Sequence, residues 1–254
     1  MNQFVRKLAF VLLFVAVFIA SCKKDNTNGS EVSLKININF GSQPLVYNQA
    51  YDYQGMKLKF ETLRFYICDF KFYTKDEVFS YPDSYFIFDV ETLSNVITKL
   101  PVGNFTKVSF GMGVDAARNT QSGAKAIPAV DYPMDHPLNA VNDMYWGWNP
   151  GYIFAKYDGR VDVNSNGIYG EADDVNFSFH PGVNGLFRTI ERSVNLESDG
   201  QSKTIVMDFD VSKILETIDI VSENFAHPGT ENSPEFKLAK NLVDAYNIAF
   251  SQVK

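Results

Sequence analysis

The sequence predicts a mainly β domain, an antiparallel sandwich or a barrel-like fold with long loops and a C-terminal helix. Three observations support this prediction. Segments of alternating apolar and polar residues recur along the chain, turn-forming residues separate them, and only two segments have helical spacing. With 254 residues, 22 Phe and 13 Tyr, the chain is long enough and apolar enough to bury one sizeable core.

The predicted strands differ in how clearly the sequence marks them. VSLKININF, residues 32 to 40, alternates strictly and is the clearest. Residues 56 to 74 are rich in the aromatic and β-branched residues that suit strands. Further strands are predicted at SYFIFDV (84–90), KVSFGMGV (107–114), GYIFAKYDG (151–159), VNFSFH (175–180), FRTIERSVNL (187–196) and KTIVMDFDV (203–211).

Two segments have helical patterns, and one long segment has no pattern at all. VSKILETI, residues 211 to 218, predicts a short helix. Ser233 is a good N-cap for a second helix with Pro234 at its first position and apolar residues at helical spacing as far as Phe250. Residues 115 to 142 have no sustained period, which predicts a long irregular loop; loops of that length usually have a function or are disordered.

The N-terminus has the features of an export signal. Arg6 and Lys7 precede an apolar run from residue 8 to 20, which is shorter than a membrane span, and the sequence then reaches Ile-Ala-Ser-Cys22. This ending resembles a bacterial lipobox. It predicts a lipoprotein signal peptide at 1–21, lipidation of Cys22, a flexible tether at 22–31, a folded domain at 32–254, and a location at the outer membrane or cell surface. An ordinary signal peptide or an uncleaved anchor is the alternative.

Composition excludes several classes of function. Lipidation of Cys22 leaves Cys68 as the only thiol of the folded part, so no intramolecular disulfide is expected. The net charge of −7, without basic runs, argues against nucleic acid as a partner. We also find no nucleophile elbow, no glycine-rich phosphate loop and no HExxH motif, and therefore expect a protein that is not an enzyme.

The three histidines, His136, His180 and His227, share one feature, because proline follows each of them. Proline pushes the preceding residue into extended backbone and restricts it, which pre-organises the direction of the side chain. Neutral imidazole is the commonest protein ligand for metals such as copper and zinc. If residues 151–159 and 175–180 pair as a hairpin, His180 is expected opposite Tyr152, within two positions, and near the tryptophans Trp146 and Trp148.

The loop of this hairpin has the spacing of a calcium-binding loop. Asp162, Asn164 and Asn166 occupy positions 1, 3 and 5, Gly167 follows at the sharp turn, the Ile168 carbonyl is at position 7, and Asp173 is at position 12. Asp in place of Glu at position 12, and strands in place of flanking helices, weaken the match. The alternative is an Asn/Gly-rich turn that binds no ion.

Several of these segments together resemble the MbnP-like copper-binding family of exported bacterial proteins. The resemblance rests on His136-Pro137-Leu138, Met144-Tyr145-Trp146-Gly147-Trp148, Gly151-Tyr152-Ile153-Phe154, Phe179-His180, His227 and Asn247-Ile248-Ala249-Phe250. It covers nearly the whole predicted domain, and the MYWxW core is its specific part.

The resemblance implies that the protein binds Cu(I). In that family histidines and a tryptophan oxidised to kynurenine are copper ligands, and a dihaem partner of the peroxidase type carries out the oxidation. It implies His136 and His180 as ligands, His227 as a further ligand, and Trp146 or Trp148 as the residue that is oxidised. An unmodified indole offers only an N–H donor, whereas kynurenine has an aryl amine nitrogen.

The sequence leaves open two other interpretations of the aromatic cluster. Trp146, Trp148 and Tyr152 form an aromatic platform for a glycan if they are exposed beside a calcium-ordered loop. If they are buried, the same aromatic cluster is core packing beneath the long loop.

Overall fold

The computed structural model describes residues 29–120, 123–147 and 151–252. The predicted signal peptide, Cys22 and most of the predicted tether lie outside the described residues, as does Trp148. None of the described helices is long and apolar enough to cross a membrane.

The chain is built mainly from strands, as predicted. They are β1 (Ser30–Phe40), β2 (Gln43–Pro44), β3 (Tyr51–Tyr53), β4 (Met56–Tyr73), β5 (Val78–Asp89), β6 (Ser94–Leu100), β7 (Gly103–Met112), β8 (Tyr145–Trp146), β9 (Gly151–Tyr152), β10 (Ala155–Asp162), β11 (Val175–Phe179), β12 (Arg188–Ser198), β13 (Lys203–Asp210), β14 (Phe225–Ala226) and β15 (Phe250–Gln252). The helices are α1 (Ala116–Asn119), α2 (Ser212–Leu215), α3 (Phe236–Asp244) and α4 (Tyr246–Ala249), with 3₁₀ turns at Ala129–Asp131, Ala140–Asn142 and Asn184–Leu186.

Two sheets pack face to face as a sandwich. The first has the order β15-β13-β1-β2, with β6 also on β1, and the second has the order β12-β7-β4-β10-β11-β14, with β3 and β5 on β4. Phenylalanine rings join the two sheets: the ring centroids of Phe65 in β4 and Phe209 in β13 are 4.9 Å apart, and those of Phe40 in β1 and Phe60 are 6.0 Å apart. All four side chains are buried, so the core lies between the sheets.

The predicted strands are confirmed, but the sheets are not purely antiparallel. β1 and β13 pair in parallel, and so do β11 and β14. Such pairs join segments that lie far apart in the sequence, and side-chain alternation along one strand contains no information about its neighbours.

The C-terminal helix is shorter than predicted. The chain forms α3 and α4, and Phe250 begins β15 instead of ending a helix. Ser233 does not cap α3 with its side chain, because its Oγ accepts a hydrogen bond from the backbone N–H of Thr230, at 3.0 Å. α3 therefore begins at Phe236, without a side-chain cap at Glu235.

The described part of the loop from 115 to 142 is mostly irregular, as expected, with α1 and two short 3₁₀ turns. Its N-terminal end is fixed because Asp115 accepts a hydrogen bond from the Ala117 N–H and caps α1. Its later part is fixed by tyrosines of the core: Tyr66 donates to the Pro137 carbonyl at 2.8 Å, and Tyr152 donates to the Leu138 carbonyl at 3.0 Å. The segment that contains His136 is therefore anchored to the sandwich.

Candidate metal centre

The parallel pairing of β11 and β14 brings two similar sequences side by side. Ser178 pairs with Phe225 and Phe179 with Ala226, and both strands continue into His-Pro-Gly, at 180–182 and 227–229. The His180 N–H donates to the Ala226 carbonyl at 2.8 Å, which carries the pairing one residue beyond the strands. Because the two segments are in register, the two histidines become neighbours.

The imidazole rings of His180 and His227 are stacked on each other. Their centroids are 4.0 Å apart and the planes differ by 8°. Phe225 covers another side of His227, with ring centroids 4.1 Å apart. β14 is the edge strand of its sheet, yet the His180 side chain is only 13% exposed and His227 is partly buried.

The Nε2 atoms of both rings lie near a single hydroxyl group. Ser178 Oγ is 2.8 Å from His227 Nε2 and 3.4 Å from His180 Nε2. Asp158, in the neighbouring strand β10, places its Oδ1 2.9 Å from His180 Nε2 and 2.5 Å from Ser178 Oγ. Two imidazoles, one hydroxyl and one carboxylate thus form a connected polar group.

The surroundings of this group shift its pKa values. Burial is the main reason that the pKa of His227 falls to about 4, and the nearby His180 lowers it further. Burial, the largest single effect, opposes ionisation of Asp158, but the hydrogen bonds from His180 and Ser178 and the electrostatic effects of His180 and Lys156 together outweigh it and keep the pKa of that carboxyl below its usual value. His227 is therefore a neutral imidazole at neutral pH, which is the form that binds metals.

Lys156 connects this polar group to the segment before the tryptophans. Its ammonium lies 2.6 Å from Asp143 Oδ2, and its side chain is only 10% exposed. Its positive charge lowers the pKa values of both Asp158 and His227 as a minor cause. Asp143 directly precedes the Met144-Tyr145-Trp146 segment, so this ion pair holds that segment close to β10.

Trp146 packs against the residue that follows His180-Pro181. A Cβ atom placed on Gly182 would lie 2.8 Å from the Trp146 ring, so only glycine leaves room for the indole there. Trp146 is 5% exposed and Tyr152 is 1% exposed, which removes two of the three rings of the aromatic platform considered from the sequence. A cavity of about 190 Å³ lies beside both His-Pro-Gly segments, and Trp146, Gly182, Gly229 and Glu231 are among its lining residues.

His136 has different surroundings. Its ring stacks on Tyr132 with centroids 4.5 Å apart, and its Nδ1 accepts a hydrogen bond from the Leu138 N–H at 3.1 Å. Burial and the nearby Arg118 lower its pKa, so the ring is neutral at neutral pH, with Nδ1 occupied and the proton on Nε2. Within the described residues, no hydrogen bond or ring contact joins it to His180 or His227.

Few metal ligands come together among the described residues. Within that part of the chain, no group of three or more His, Cys, Asp or Glu side chains is arranged to hold a metal ion. The adjacent imidazoles of His180 and His227 are donors of the type that copper accepts.

In the predicted calcium loop, several side chains turn towards the backbone. Asp162 is fully buried and accepts hydrogen bonds from the N–H groups of Asn166 and Gly167 at 3.2 and 2.8 Å. Glu171 Oε2 lies 3.3 Å from Asn164 Nδ2 and 2.5 Å from Asn166 Nδ2. Asp173 is exposed and has no such contact within the described residues, so Glu171 is the carboxylate that approaches the loop asparagines.

The predicted hairpin is present, but its predicted register is wrong. β10 and β11 pair with Asp158 opposite Ser178 and Tyr157 opposite Phe179, so His180 follows on opposite Lys156 and not opposite Tyr152. The predicted register was wrong by four positions, and with it Asp158 and Ser178 were missed. A usable signal existed for Ser178, because residues at i and i+2 of a strand share a face and Ser178 is two before His180.

The histidine pair at the edge of this β-sandwich makes the protein a candidate metal-binding protein. The family model of MbnP matches residues 29–233, and the chain belongs to this family. The fold is also similar to a solved structure, MbnP from Methylosinus trichosporium, with a TM-score of 0.54 and 11% sequence identity over 83% of this chain and 86% of that chain. A search of curated proteins finds no match.

Proposed function

We propose that this protein binds copper, as Cu(I), through His180 and His227, and that it captures or buffers copper at the cell envelope without catalysing a reaction. The observation that supports this most is that two imidazoles lie side by side at a sheet edge, with ring centroids 4.0 Å apart. Because the two ring planes are parallel in this structure, one ring has to turn for both to bind the same ion. Membership of the MbnP family agrees with a copper-related role.

The low pKa of His227 supports its proposed role as a copper ligand. Metal binding needs an unprotonated ring nitrogen, and a histidine with a pKa of about 4 need not release a proton to the solvent before it binds at neutral pH. His136 is left out of the proposed pair because the Leu138 N–H occupies its Nδ1 and its Nε2 carries the proton. His136 therefore serves as the matched control.

The test is copper loading of the full-length protein under reducing conditions, followed by gel filtration and metal analysis. We expect wild type and His136→Ala to retain copper, and His180→Ala and His227→Ala to lose it. Copper retained by the double variant His180→Ala/His227→Ala, or lost from His136→Ala alone, contradicts the proposed pair.

We propose further that Trp146 or Trp148 is oxidised to kynurenine and adds an aryl amine nitrogen to the site. Trp146 supports this because its ring packs on Gly182, two residues after His180. A dihaem partner of the peroxidase type is the proposed source of the oxidation. Peptide mass spectrometry of protein purified from its native host tests the proposal, and unmodified tryptophan in both positions of copper-loaded protein contradicts it.

The proposed location is the outer membrane or cell surface, with a lipid on Cys22 as the anchor. The lipobox-like sequence before Cys22 supports this. Cys22→Ser is expected to release the protein from the membrane fraction, and a membrane-bound Cys22→Ser variant contradicts the anchor.

Calcium is the second proposed ion, in the loop between β10 and β11. Asp162, Asn164, Asn166 and the Ile168 carbonyl are its proposed ligands, together with the carboxylate of Asp173 as predicted, or that of Glu171, which lies beside the two asparagines. Oxygen atoms of this kind are what Ca²⁺ prefers. Its proposed role is to fix the hairpin that carries Asp158 and Ser178.

A further inference from the structure

The first described residues are fixed to one end of the sandwich. A Cβ atom placed on Gly29 would lie 2.2 Å from the Leu100 carbonyl oxygen, so the backbone of Gly29 lies directly against β6. Ser30 is fully buried, its N–H donates to Ser198 Oγ at 3.0 Å, and its Oγ accepts a hydrogen bond from the Asp199 N–H at 3.1 Å. The chain therefore enters the sandwich through a rigid joint.

Two exposed valines lie at the same end of the sandwich. Val102 comes two residues after β6, the strand against which Gly29 packs. Val78 begins β5, and the ring of the next residue, Phe79, lies 5.5 Å from that of Phe105 in β7. Val78 is 54% exposed and Val102 is 50% exposed. We call the surface formed by Gly29, Val78 and Val102 the entry end.

The predicted lipid anchor lies close to the entry end in the sequence. Cys22 comes seven residues before Gly29, and an extended chain spans at most about 3.6 Å per residue, so the two are no more than about 25 Å apart. By comparison, the 18 residues of β4 extend over about 60 Å along the strand. An anchor on Cys22 therefore keeps the entry end, and with it Val78 and Val102, near the bilayer.

We propose that the entry end is a membrane-docking surface, on which Val78 and Val102 contact a phospholipid bilayer. This inference rests on the proposed lipid anchor at Cys22 and does not depend on copper. The anchor turns docking into an intramolecular event, so a small apolar surface suffices although it would not bind a membrane unaided. Charge adds little, because the turn at residues 74–77 contains one Lys, one Asp and one Glu.

Docking at the entry end turns the histidine pair away from the membrane. His180 follows β11 opposite Lys156, which pairs with Arg64 of β4. From Arg64, β4 runs nine residues further to Tyr73, which pairs with Val78. At about 3.3 Å per residue, the histidine pair lies up to about 30 Å from the entry end along the strand. The proposed copper site is thereby held in the aqueous space, where dissolved copper reaches it.

The test uses the mature, lipidated protein in phospholipid vesicles that contain a lipid with a nitroxide on its acyl chain. A fluorescent label is attached to a single introduced cysteine, since Cys68 is buried and Cys22 carries the lipid. We expect the nitroxide to quench the label at Val78→Cys and at Val102→Cys, in vesicles with and without anionic lipid. The matched control is Val46→Cys, which should keep its emission: Val46 is also 50% exposed but follows β2, which pairs with the last residues of β1.

The outcomes separate the docking surface from the anchor. If the vesicle-bound protein keeps its emission at either Val78→Cys or Val102→Cys, or is quenched equally at Val46→Cys, the docking surface is overturned and the anchor stands. If wild type leaves the vesicles as readily as Cys22→Ser, the anchor fails and the inference fails with it. Val78→Asp/Val102→Asp is expected to remove the quenching of a label at Asn104→Cys while the protein stays anchored, and unchanged quenching there also overturns the inference.

Discussion

His227 differs from an ordinary histidine because its surroundings favour the neutral ring. Its pKa falls from the usual 6.5 to about 4, mainly through burial. Between these pH values the unfolded state binds a proton that the folded state excludes, so folding stability rises with pH. The free energy of unfolding is therefore not reduced by His227 above about pH 6.5, and it decreases as the pH falls from 6.5 towards 4.

This predicts a pH-dependent difference between wild type and His227→Gln. In metal-free protein, the free energy of unfolding of wild type should fall more steeply from pH 7 to pH 4.5 than that of His227→Gln. The nearby carboxyl of Asp158 has a lowered pKa, so its effect belongs to more acidic solution. Denaturant titrations at several pH values measure both curves, and parallel curves would show that His227 is not held neutral.

Gly182 is a second residue on which the site depends. An added Cβ would lie 2.4 Å from the Tyr152 carbonyl oxygen and 2.8 Å from the Trp146 ring, whereas on Gly103 it would meet only Phe105, at 3.8 Å. Gly182→Ala is therefore expected to cost about 1–3 kcal/mol of stability, as overpacked positions do, and Gly103→Ala much less.

Tryptophan fluorescence shows whether Gly182→Ala also moves the indole. In a Trp148→Phe background the emission comes from Trp146 alone, since the chain has 2 Trp. The emission should shift to longer wavelength in Gly182→Ala as the ring leaves its buried position. Unchanged emission and stability would mean that the contact between Gly182 and Trp146 is not close.

At the scale of secondary structure elements, the sequence predicts single strands better than their pairing. Strict alternation identified β1, and aromatic content identified β4. β14 was missed because a strand of 2 residues, Phe225–Ala226, has no period to detect. The histidine pair depends on β14, so the candidate ligands were recognisable by residue type while their contact was not.

The β10–β11 hairpin shows the same limit. Its two strands were predicted, but the register depends on loop geometry, and a loop of 12 residues between Asp162 and Val175 allows several registers. In the structure, Asp174 fixes one end of the loop by accepting hydrogen bonds from the N–H groups of Val163, Gly170 and Glu171. A single sequence does not reveal which of the neighbouring acidic residues takes that role.

Calcium should stabilise this hairpin if the proposed ion binds. We expect Ca²⁺ to raise the melting temperature of wild type, since a ligand that binds only the folded state stabilises it. Asp162→Asn should abolish the increase, whereas Asp199→Asn, in the turn between β12 and β13, should keep it. An equal increase in wild type and Asp162→Asn would contradict a calcium site in this loop.

At the scale of the whole molecule, the two sheets are joined by aromatic rings. Phe209 is fully buried, and its ring lies 4.9 Å from that of Phe65 and 4.5 Å from that of Phe250. Phe209→Ala should cost about 3–5 kcal/mol of unfolding free energy, because it leaves a cavity between the sheets. Phe225, which is 52% exposed, is the matched control, and Phe225→Ala should cost far less. Similar losses in the two variants, measured by denaturant titration, would contradict a core placed between the sheets.

The fold class followed from the sequence because a sandwich repeats one signal, alternation, many times. The candidate site followed only in part, because it joins β10, β11 and β14 through contacts between distant segments. His180 and His227 stand 47 positions apart in the sequence, and only the parallel pairing of their strands makes them neighbours.

Copper K-edge X-ray absorption of the Cu(I)-loaded protein distinguishes histidine ligands from sulfur ligands. We predict scattering from two imidazole rings in wild type and in His136→Ala, and from one ring in His227→Ala if any copper is retained. A spectrum dominated by sulfur scattering, or one that is identical in wild type and His227→Ala, would contradict copper binding by the histidine pair.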